Sequence, residues 1–165
     1  AHADFPENIC FFDFEDKGEG IHSQIHFGHY KAISSEKNTP LARGDLFLAE
    51  IEALPGNKFT IAIIDNITPL EKALQALVYR DAKKYSDIYG YTVPDIMKDS
   101  YGKARGIVND LISDAICKGL YAKGIKLIIV TSHAKSAYNL PGKMTIAGRD
   151  RWQDLSILTL ILIPG

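Results

Sequence analysis

The strongest constraint on the fold is a set of nearly continuous apolar runs, each closed by polar or acidic residues. "NICFFDFED" (8–16), "KFTIAIID" (58–65) and "IKLIIVTSH" (125–133) are short and show no polar alternation. Such runs read as strands buried on both faces. Helical patterning separates them, which predicts an α/β fold: a mostly parallel sheet with helices on both faces. "LSILTLILIP" (155–164) reads as a fourth strand.

The segments between the strands supply the helices. "LARGDLFLAEIEALPGN" (41–57) is read as a helix with Leu46, Ala49 and Ala53 or Leu54 on one face, stopped by Pro55-Gly56. "TPLEKALQALVYRDAKKYSD" (68–87) predicts a helix with Thr68 as N-cap, Pro69 at the first helical position and Glu71 completing a capping box. "YGKARGIVNDLISDAICKGLYAKG" (101–124) predicts another, with Ile107, Leu111, Ala115 and Ile116 on one face. The stretches 20–40 and 134–154 are read as mostly loop, the first with room for a short strand, and 88–100 as irregular.

The chain of 165 residues fits one domain. Its net charge of -1 gives no global pull toward nucleic acid or membrane, so such a contact must come from a local patch. Cys10 and Cys117 stand far apart without metal or redox spacing, which fits a reducing, cytoplasmic setting. There is no run of 18 apolar residues. Both ends read as cuts within a larger fold, because apolar strands lie close to each terminus.

In a parallel sheet the ligand lies outside the carboxyl ends of the strands. The first strand delivers Asp13, Glu15 and Asp16 there, the second Asp65 and Asn66, and the third Thr131, Ser132 and His133, with Lys135 just beyond. An apolar strand closed by Asp, as at Asp65, is the pattern of a Walker B segment, whose carboxylate holds water on a nucleotide-bound Mg²⁺. The same pattern also serves as a helix cap or turn former. Glu15 could orient an attacking water, and a solvated turn acid is the plainer alternative. The hydroxyls and imidazole of Ser132 and His133 suit sensing of a γ-phosphate, or simply end the strand. "NLPGKMTIAGRDRWQD" (139–154) is basic and Gly-containing, and carries Trp152; it suits phosphate or base contacts, an arginine finger, or a solvated hairpin. His22, His26 and His29 stand at metal-like spacing, but a loop with incidental histidines fits better than a metal site.

Taken in order, "FFDFE" (11–15), "FTIAIIDN" (59–66), "KLIIVTSHAK" (126–135) and "GRDRWQDLSILTLIL" (148–162) resemble the core of RecA-like P-loop ATPases. The nearest likeness is to phage-type recombination ATPases and plasmid hexameric helicases, and it runs from about Asn8 to the end. The resemblance implies an ATP-hydrolysing motor or recombination core with ATP and Mg²⁺ as cofactors. It implies Glu15 as the water-activating residue, Asp65 as the Walker B metal-site residue and His133 as the γ-phosphate sensor. Asn66 and Ser132 would lie at the nucleotide. Lys135, Arg149 and Arg151 would make contacts across a subunit boundary in a ring or filament, and the loop 139–152 would meet single-stranded DNA. The departure is that no G-x-x-x-x-G-K-[ST] occurs, so 1–165 is expected to be a single RecA-like domain lacking its phosphate loop. Two other readings stay open: a RecA-like nucleic-acid-binding module without catalysis, and a metal-dependent hydrolase or nuclease using Asp13, Glu15, Asp65 and His133.

Overall fold

Ile9–Asp13 (β1) is apolar up to its last residue and is buried along its whole length, so only the centre of a sheet can hold it. The computed structural model describes residues 6–16, 19–36 and 39–132, with two further strands at 134–136 and 144–146. β1 pairs in parallel with His29–Ala32 (β2) on one side and Ile61–Asp65 (β3) on the other; β3 pairs in parallel with Leu127–Val130 (β4). The order is β2-β1-β3-β4, and Asp13 and Asp65 stand opposite each other at the carboxyl edge. The parallel α/β architecture expected from the buried runs is therefore present.

Parallel neighbours need crossovers, and helices make them. Glu19–Ile25 (α1) joins β1 to β2; Ile33–Glu36 (α2) and Pro40–Ala53 (α3) join β2 to β3. Between β3 and β4 come Ile67–Arg80 (α4), Ala82–Tyr89 (α5), Val93–Met97 (α6), Lys103–Asp110 (α7) and Gly119–Ala122 (α8). A π-helical stretch, Leu111–Lys118, links α7 to α8 with helical backbone at both junctions.

The helical layer packs on one face of the sheet. Cys10, Phe12, Phe14, Ala62 and Ile64 form one buried cluster with Phe47 of α3, Leu70 and Leu74 of α4, and Ile107 of α7. Phe47 meets Phe12 and Phe14 edge-on, with ring centroids 5.1 and 5.2 Å apart. α3 and α4 approach closely because of Gly44: a Cβ there would come within 2.9 Å of the Leu77 side chain and 3.1 Å of the Ala73 carbonyl oxygen. The other face is covered over β1, where Phe11 stacks on Phe27. Over β4 it is not: Leu127 and Ile129, paired with Ile61 and Ile63, are 49% and 41% exposed. The expected second layer is thus incomplete on that side among the described residues.

Several local expectations need correction. α3 buries Gly44, Phe47 and Ile51; of the expected face, Leu54 is buried just beyond the helix and Leu46 packs at the edge of the core, while Ala49 is exposed. α4 starts earlier than Thr68: Asn66 is the N-cap, and its side chain accepts from the Thr68 N–H at 2.7 Å. Pro69 then lies third in the helix, still within the turn whose N–H groups have no intrahelical partner. The stretch 88–100 contains α6, capped by Thr92; in 20–40 the short strand allowed for is present as β2, and α1 and α2 stand where loop was expected. The third strand stops at Val130 rather than His133, and 134–154 contains an antiparallel pair, Ala134–Ser136 (β5) with Met144–Ile146 (β6). The strand expected at 155–164 lies outside the described residues.

Cys10 is fully buried in β1 and its thiol faces the Ile61 carbonyl at 3.5 Å. Burial pushes its pKa up to about 12. The thiolate is the reactive species, so Cys10 should resist a disulfide reagent such as DTNB in the folded protein. Half-buried Cys117 should react, and both thiols should react in denaturant; rapid native titration of two thiols would show that β1 is accessible.

Candidate functional site

The strand order reverses between β1 and β3. The connection leaving β1 leads to β2 on one side, and the connection leaving β3 leads to β4 on the other. In open parallel sheets such a reversal opens a crevice at the carboxyl ends. The residues that follow β1 and β3 meet there.

From β3, Asp65 is half-buried and its Oδ1 accepts from the Thr131 hydroxyl, just past the end of β4. The carboxylate closing this apolar strand therefore has a partner, which offsets part of the cost of its burial. The Thr131 backbone is fixed as well: its N–H donates to the Ile64 carbonyl and its carbonyl accepts from the Ile67 N–H, both at 3.1 Å. The Asp65–Asn66 peptide is cis.

Asn66 is 2% exposed and uses both ends of its amide. Oδ1 caps α4, and Nδ2 donates to Glu15 Oε1 at 3.1 Å. With its amide engaged in this way, Asn66 bridges the start of α4 and the acid that follows β1.

From β1, Asp13 is fully buried. Its Oδ1 accepts the Glu15 N–H at 2.8 Å and its Oδ2 accepts the Tyr30 hydroxyl at 2.9 Å. The peptide between them is held too: Phe14 N–H donates to the Asp65 carbonyl at 2.5 Å, and the Phe14 carbonyl accepts from Ser34 Oγ. Glu15 itself is half-buried.

Of the residues singled out in the sequence, Glu15, Asp65 and Asn66 are brought together. Ser132 is half-buried two residues beyond β4. His133, Arg149 and Arg151 lie outside the described residues; Lys135 is placed only by its backbone, opposite Thr145 in the β5–β6 pair. Asp13 is a structural carboxylate with both oxygens engaged, which counts against its use as an open metal ligand. Among the described residues no three of His, Cys, Asp and Glu converge on a metal position. Of the histidines at 22, 26 and 29, the side chain of His22 lies outside the described residues. His26 is exposed just after α1 with φ 54°, while His29 on β2 packs against Phe12. Burial pushes the His29 pKa down, opposed by the Glu50 carboxylate 3.3 Å away.

Mg²⁺ bound with a nucleotide takes one or two protein carboxylates and fills its other positions with phosphate oxygens and water. A single strand-end carboxylate with Glu15 one strand away fits that donor set. Sequence reading missed Thr131 as the partner of Asp65 and Tyr30 as the partner of Asp13. Thr131 had a signal in its place at the strand end; Tyr30 had none, because its contact depends on strand register. Among the described residues no helix is long and apolar enough to cross a membrane. Comparison with protein-family models, with curated proteins and with solved structures finds no match to this chain.

Proposed function

We propose that this chain is the core of an ATP-hydrolysing motor or recombination ATPase of RecA-like type that acts on DNA as an oligomer. The observation that carries this reading is the meeting of Glu15 with the Asp65–Asn66 corner at the strand-order reversal, linked by the Asn66–Glu15 hydrogen bond. Asp65 is the residue to hold Mg²⁺, which when bound would neutralise charge on the phosphates. Glu15 orients the attacking water and takes up its proton. Thr131 fixes the Asp65 carboxylate, and Asn66 holds the Glu15 carboxylate through its Oε1. His133 is assigned to the γ-phosphate, and the loop 139–152 with Lys135, Arg149 and Arg151 to DNA and the neighbouring subunit. The phosphate-binding loop is assigned to a further strand–helix unit.

The test is Mg²⁺-dependent ATP hydrolysis by the protein. Turnover should be measurable, and Asp65→Ala should reduce it to background. Unchanged turnover in that variant removes the assignment. Absence of hydrolysis together with retained DNA binding selects the non-catalytic module, and Mg²⁺- or Mn²⁺-dependent DNA cleavage by residues 1–165 alone selects the nuclease.

A further inference from the structure

Asp13 poses a problem that the proposed chemistry leaves unsolved: it is a fully buried carboxylate with both oxygens engaged by hydrogen bonds. Burying an ionised carboxylate costs several kcal/mol unless its lone pairs are satisfied. Tyr30 and the Glu15 N–H satisfy one oxygen each. The Tyr30 ring is itself held in place, packed 5.8 Å from Phe11, its register partner across the β1–β2 pair. The phenol therefore reaches Asp13 from a fixed position on the neighbouring strand, and Asp13 passes that constraint to the peptide of Glu15.

We propose that Tyr30 and Asp13 are positioning residues for Glu15. They hold its backbone from the β2 side while Asn66 holds its carboxylate from the α4 side. Glu15 lies two residues beyond the last ladder pair of β1. A water-orienting carboxylate works only within a narrow range of positions, and a misplacement of about 1 Å costs up to roughly a hundredfold in rate. This inference rests on the reading of Glu15 as the water-orienting group.

The experiment compares Tyr30→Phe, Glu15→Gln and the double variant in steady-state ATP hydrolysis by the protein, with thermal unfolding of each. Tyr30→Phe keeps the ring and its packing on Phe11 and removes only the hydroxyl. Its kcat should fall roughly ten- to a hundredfold with KM for ATP unchanged. In the double variant it should cause no further loss beyond that of Glu15→Gln, because residues acting as one unit are not additive. Tyr30→Phe with wild-type kcat overturns the proposal, as does a double variant in which the losses multiply, or a loss that follows the folded fraction alone. If Glu15→Gln keeps full turnover, or the unsubstituted protein hydrolyses no ATP, the underlying reading of Glu15 fails, and the positioning role falls with it.

Discussion

Glu15→Gln should lower ATP turnover by about 10²- to 10⁴-fold, the usual contribution of a positioned general base, while nucleotide affinity stays close to that of the unsubstituted protein. The substitution isolates the chemistry because Gln keeps the length of Glu and retains an oxygen that can accept from Asn66 Nδ2, as Glu15 Oε1 does at 3.1 Å. The backbone bond from Glu15 N–H to Asp13 is indifferent to the side chain. What is lost is the negative charge and the basicity that the proposed role of Glu15 requires. A parallel titration with a fluorescent ATP analogue distinguishes the two contributions: a fall in kcat with unchanged Kd is the expected pair. A full loss of binding would point instead to Glu15 holding nucleotide, and unchanged turnover would remove it from the chemistry. Asp65→Ala is expected to differ in kind, raising the Mg²⁺ requirement as well as lowering turnover, because its carboxylate is assigned to the ion.

The parts of this site visible in the sequence are those that one strand or one turn decides. The apolar runs before Asp13 and Asp65 announced buried parallel strands, and the carboxyl-edge rule then brought Glu15 and the Asp65–Asn66 corner to one crevice. Contacts set by pairing between distant segments were not visible. Tyr30 lies 17 residues from Asp13 and meets it only because Phe11 pairs with Tyr30 in the β1–β2 register. The role of Asn66 was missed for a local reason. "DNITP" offers two capping residues two positions apart, and proline at the next position favoured Thr68. The helix starts from Asn66 instead, whose amide also satisfies Glu15, so a tertiary contact decided between two acceptable local solutions. Phe47 of α3 was missed for a similar reason: several apolar residues compete along the helix, and the close approach at Gly44 selects the face that presents Phe47 to β1. The short helix after Thr92 had its signal, a threonine before a proline in the first turn, which the reading of 88–100 as irregular did not use.

Phe47→Ala should cost about 3–5 kcal/mol of folding free energy, as large-to-small changes at fully buried aromatic sites do. Phe47 has no exposed surface and stands between the helical layer and the central strand, with its ring edge-on to both Phe12 and Phe14. Each aromatic pair adds about 0.5–1.5 kcal/mol beyond the burial itself, and neighbouring Ile51 and Leu77 cannot collapse into the space without drawing α3 toward α4, where Gly44 already leaves no slack. A domain of this size holds about 5–15 kcal/mol in total, so the loss should appear as a large drop in the urea midpoint at unchanged slope. Phe47→Leu, which keeps most of the volume, should cost about 1.5 kcal/mol or less. The consequence reaches the crevice, because Phe12 and Phe14 flank Asp13, and the residue after Phe14 is Glu15. If α3 no longer presses on β1, the carboxyl end of that strand loses its support from below, and turnover per folded molecule should fall along with stability. A Phe47→Ala protein with less than about 1 kcal/mol of destabilisation would mean that α3 does not seat on β1 through this ring, and the packing that carries Glu15 to the crevice would have to come from elsewhere.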